Sequence, residues 1–179
     1  MRWLGFAICA GMGLTLQTTV AWRLQIGPAR PEWMLVLTVF FALHARGEEG
    51  LIAGCVLGIL SDLMSIERFG LLALVYGASA LVLFLVRDYF FIDHPLTHFF
   101  LTWVAALAVG FTCCFYRSLF SAAGSPGWAF STFEIMLSAA YTALWAIPVH
   151  RVLAYFPRFL GVRVFRGAAR SGALRPKHV

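Results

Sequence analysis

The chain has 179 residues, 61% of them hydrophobic and 12% charged, with a formal net charge of +6 and a mean hydropathy of +0.82. A soluble domain carries roughly 25% charged residues, so there is too little charge here to coat a globule in water. The apolar residues also stand in long unbroken blocks, which excludes a water-soluble enzyme and a disordered chain and predicts an all-α integral membrane protein.

At about 1.5 Å of rise per residue, roughly 20 apolar residues cross a hydrocarbon core of about 30 Å. Six blocks qualify in whole or part. The first covers residues 3–22 and stops at Arg23, Gly27, Pro28, Arg30 and Pro31, which cannot continue a helix. Arg2 ahead of an apolar run also suits a secretory leader. The block is as long as a span, however, and no convincing small-x-small cleavage site precedes Arg23, so it reads as a retained helix. Blocks two (32–45) and three (50–66) are separated only by Arg46, Gly47, Glu48 and Glu49, a tight helical hairpin. Block four (69–86) ends at Arg87 and Asp88, and block five (96–116) follows Asp93, His94 and Pro95. Block six starts at Trp128 and runs past Ile147, with Pro148 as a kink or exit. The predicted fold is a bundle of about six transmembrane helices, several of them short, over residues 1–156, with a basic tail over 157–179. A second arrangement makes residues 32–66 a re-entrant hairpin, because 32–45 covers only about 21 Å.

Lysine and arginine near the span ends set the orientation. With both termini cytoplasmic, the inner segments hold Arg2, Arg46, Arg87, Arg151, Arg158, Arg163, Arg166, Arg170, Arg175 and Lys177, against Arg23, Arg30, Arg68 and Arg117 outside. The basic C-terminus decides that bias. From His150 onward the chain has no acidic residue, and such a stretch is drawn to anionic headgroups by about 1 kcal/mol per basic side chain. A docking site for a cytoplasmic protein is the other use of the same tail.

Gly50, Gly54 and Gly58 repeat at four-residue spacing, and Asp62 continues the series. Positions i and i+4 share a helical face, so the glycines form a groove with a carboxylate at its end. Small residues so spaced let two helices approach closely in lipid; the helix that fills the groove could belong to this chain, to a partner or to a second copy. Asp62 lies roughly 18 Å along its segment, and an acid at that depth faces protein or water. It can serve as a helix-end residue bonded to Ser61, Ser65 or backbone, as an anchor for a chain lying in the groove, or as a proton relay. Arg68 and Arg117 are candidate charge partners, and Glu134 shares its depth.

Enzyme signatures are absent. His44, His94, His98, His150 and His178 form no metal-protease pattern, and no nucleophile elbow or phosphate loop occurs. Asp93, His94 and His98 invite a metal reading, but they stand at a helix start beside Pro95, where Asp93 suits a cap. Cys9, Cys55, Cys113 and Cys114 lie inside apolar blocks and read as small hydrophobes. The sequence therefore predicts no catalytic residue, metal, cofactor or nucleic-acid partner.

Residues 31–89 resemble the MreD family of bacterial rod-shape-determining membrane proteins. The resemblance is carried by Pro31-Glu32-Trp33, the Arg46-Gly47-Glu48-Glu49 turn, Gly54-x-x-x-Gly58-Ile59-Leu60-x-Asp62, and the run from Gly70 to Tyr76. It implies a non-catalytic scaffold in the inner membrane, within the cell-elongation complex that makes peptidoglycan. The implied partners are an MreC-like single-span protein, an MreB-like filament, the RodA glycosyltransferase and a penicillin-binding transpeptidase. The competing class is the substrate-binding subunit of a vitamin-type transporter, which also has about six short spans.

Overall fold

The computed structural model describes residues 2–27, 29–45, 48–65, 70–87, 95–120, 128–156 and 160–161. Among these the chain is helical throughout, with a lone β-bridge between Ile26 and Ala29. The first apolar block becomes α1 (Trp3–Thr15), which runs through a π-helical turn (Leu16–Val20) into a last short turn, α2 (Ala21–Arg23). Then follow α3 (Trp33–His44), α4 (Glu49–Met64), α5 (Leu71–Val86), α6 (Pro95–Phe120) and α7 (Trp128–Ala154). Three stretches are long and apolar enough to cross a membrane, Trp3–Val20, Leu96–Leu119 and Thr132–Ala154, while Trp33–His44 and Leu71–Val86 are shorter apolar helices. The architecture is an all-α membrane bundle of long and short helices. Of the two readings of Pro148, the exit is set aside: α7 continues through it to Ala154. A proline costs one backbone hydrogen bond, and neighbouring helices make that tolerable in a membrane span.

The centre of the bundle is α3. All twelve of its residues are buried, and it packs against α1, α4, α5, α6 and α7. At about 18 Å it is too short to span by itself, and its ends are held by other parts of the chain. The Trp33 amide donates to Gln17 Oε1 at 2.8 Å, and the Glu32 amide donates to Thr142 Oγ1 at 3.2 Å. These bonds give two of the helix's unpaired N-terminal donors an acceptor. At the other end an Arg87 guanidinium nitrogen donates to the Ala45 carbonyl at 3.1 Å, with the guanidinium 4.4 Å from the centre of the Phe84 ring. Phe6 of α1 meets Phe41 edge-on at 5.1 Å, closing the aromatic core on that side. Around α3, α4 pairs with α5 and α6 pairs with α7.

Candidate functional site

The glycine face of α4 is occupied by this chain's own helices. A methyl group added at Gly50 would lie 2.8 Å from the Phe41 carbonyl oxygen of α3. At Gly54 it would lie 2.6 Å from Ala80 Cβ of α5 and 3.3 Å from Thr38 Cγ2 of α3. At Gly58 it would lie 2.6 Å from Ala73 Cα and 2.8 Å from the Leu72 carbonyl oxygen, both on α5. Gly77 returns the favour from α5, since a methyl there would meet Cys55 Sγ at 2.7 Å. The three glycines thus let α4 touch backbone on both neighbours, as small residues do in membrane helix pairs. The groove that the spacing left open to an internal helix or a partner is filled from within, by α3 and α5.

Asp62 closes the same helix pair. Its side chain is buried, and its carboxylate accepts three backbone hydrogen bonds across the α4–α5 turn. Oδ2 takes the amides of Gly70 at 3.0 Å and Ala73 at 2.9 Å, and Oδ1 takes the amide of Leu72 at 3.0 Å. The first amides of a helix have no partner of their own and carry the positive end of its dipole, so an acid here satisfies both. The chain reaches this position because Gly70, the residue before α5, takes φ +103°, a left-handed conformation that side chains disfavour. Among the described residues Asp62 has no bond to Arg117, at the end of α6, or to Glu134, on α7; it rests on amides instead of an ion pair. Arg68 lies outside the described residues, as do Arg158, Arg163, Arg166, Arg170, Arg175 and Lys177 of the basic tail.

Tyr76, in the second turn of α5, is buried and donates from its hydroxyl to Glu32 Oε2 at 3.5 Å. This ties α5 to the start of α3. Gly50, Gly54, Gly58, Asp62, Gly70 and Tyr76 therefore form one unit whose work is to hold α3, α4 and α5 together. The family model for the rod shape-determining protein MreD matches residues 1–160. The chain belongs to the MreD family. No curated relative and no solved structure matches it. In this member of the MreD family, Gly54, Gly58, Asp62 and Gly70 from the runs that carried the resemblance join α4 to α5, and Tyr76 joins α5 to α3.

A second cluster has no counterpart in the sequence motifs. His44 of α3, His98 of α6 and His150 of α7 meet at one end of the bundle, His44 stacked on His98 with ring centroids 5.6 Å apart and His98 edge-on to His150 at 4.8 Å. His44 Nδ1 lies 3.0 Å from the Phe40 carbonyl oxygen and His150 Nε2 lies 3.0 Å from that of Val36. The rings pin α6 and α7 to the central helix. Among the described residues no group of histidine, cysteine or acidic side chains is arranged to hold a metal ion, and Asp93 and His94 of the candidate metal triplet lie outside them. The signal available in the sequence was a histidine near the same end of three mainly apolar helices.

Proposed function

We propose that this member of the MreD family of bacterial rod-shape-determining membrane proteins acts as a non-catalytic scaffold of the cell-elongation complex, holding partner transmembrane helices in the inner membrane with both of its own termini cytoplasmic. The observation that carries this reading is the inward use of its polar groups. Asp62, Tyr76, Gln17 and Arg87 all serve contacts between the chain's own helices, while apolar side chains are exposed on α1, α4, α5, α6 and α7. A rigid body with an apolar exterior is suited to packing against other membrane segments. The resemblance supplies the partners: an MreC-like single-span protein first, then RodA, a penicillin-binding transpeptidase and an MreB-like filament, with anionic lipid or the filament at the basic tail.

The test is purification from mild detergent with the associated proteins identified. Recovery of a single-span extracytoplasmic protein supports the scaffold. A tightly bound small molecule with no protein partner refutes it and favours the transporter subunit. Cysteine labelling of Gly127→Cys and Gly172→Cys checks orientation, the first labelled from outside the cell and the second only after permeabilisation.

A further inference from the structure

We draw no further inference here: the strongest candidate, the cluster of His44, His98 and His150 where α3, α6 and α7 meet at one end of the bundle, forms no metal-holding group among the described residues and beyond the packing role already described would rest on the titration of its rings alone.

Discussion

Removing the Asp62 carboxylate tests the unit on which α4 and α5 depend. Asp62→Ala leaves the amides of Gly70, Leu72 and Ala73 without their acceptor, three bonds of 2.9 to 3.0 Å at a buried site. Losing a helix N-cap costs about 0.5–2 kcal/mol, and stranding a buried donor adds about 1–3 kcal/mol each before any water enters. A loss of about 3–5 kcal/mol is expected. Asp62→Asn can set its one oxygen where Oδ2 now stands and keep the bonds to Gly70 and Ala73. Its amide nitrogen then faces the Leu72 amide, donor against donor, at a cost of about 1–2 kcal/mol. The expected order of thermal midpoints, measured on detergent-purified protein by circular dichroism, is wild type, then asparagine, then alanine. Alanine and asparagine variants of equal stability would refute the capping argument. An asparagine variant that assembles stably yet cannot restore rod shape to cells would show that the carboxylate does something besides cap α5.

Gly58→Ala should destabilise by about 1–3 kcal/mol, because the new methyl meets α5 backbone at 2.6 Å and the helices must part. Gly11→Ala, with nothing within 4 Å of the added carbon, should be neutral or gain up to about 1 kcal/mol of helix propensity; equal losses at both positions would contradict the close-packed reading of α4. Arg87→Met removes the donor to the Ala45 carbonyl and is expected to cost about 1–2 kcal/mol, read as faster amide exchange at the C-terminal turn of α3. Tyr76→Phe deletes the hydroxyl that joins α5 to Glu32 and should lower stability by about 0.5–1.5 kcal/mol without changing the helix content.

The helices were legible because hydropathy blocks and their charged or proline-bearing breaks are local signals. The Gly50, Gly54, Gly58 face was legible as a site of close approach, but four-residue spacing records only that a backbone comes near. Whether the neighbour is α5 or a separate chain depends on the turn at Gly70, whose φ no pattern specifies. Asp62 invited a search for arginines because charge suggests charge. Its actual acceptor role is toward amides eight to eleven residues ahead, and the hint was an acid followed by a glycine opening the next helix. The full enclosure of α3 was hidden for a different reason. A helix apolar all round looks the same whether lipid or protein surrounds it, and only its shortness pointed inward. His44, His98 and His150 are more than fifty residues apart in pairs, and nothing short of the packed bundle brings them together.

The burial of α3 also bears on how the chain is made. A helix of about 18 Å cannot settle across a bilayer as a span of its own, so on leaving the ribosome it must travel as a hairpin with α4. Its remaining sides stay open until much later in synthesis: the bonds that close them, Glu32 to Thr142 and Val36 to His150, join residues 110 and 114 positions apart. The innermost piece of the molecule is thus among the first translated and the last enclosed. A nascent chain halted before α7 would present its own core to the membrane's quality-control proteases, and breakdown of such truncated chains should set in at the point where the last helix is missing.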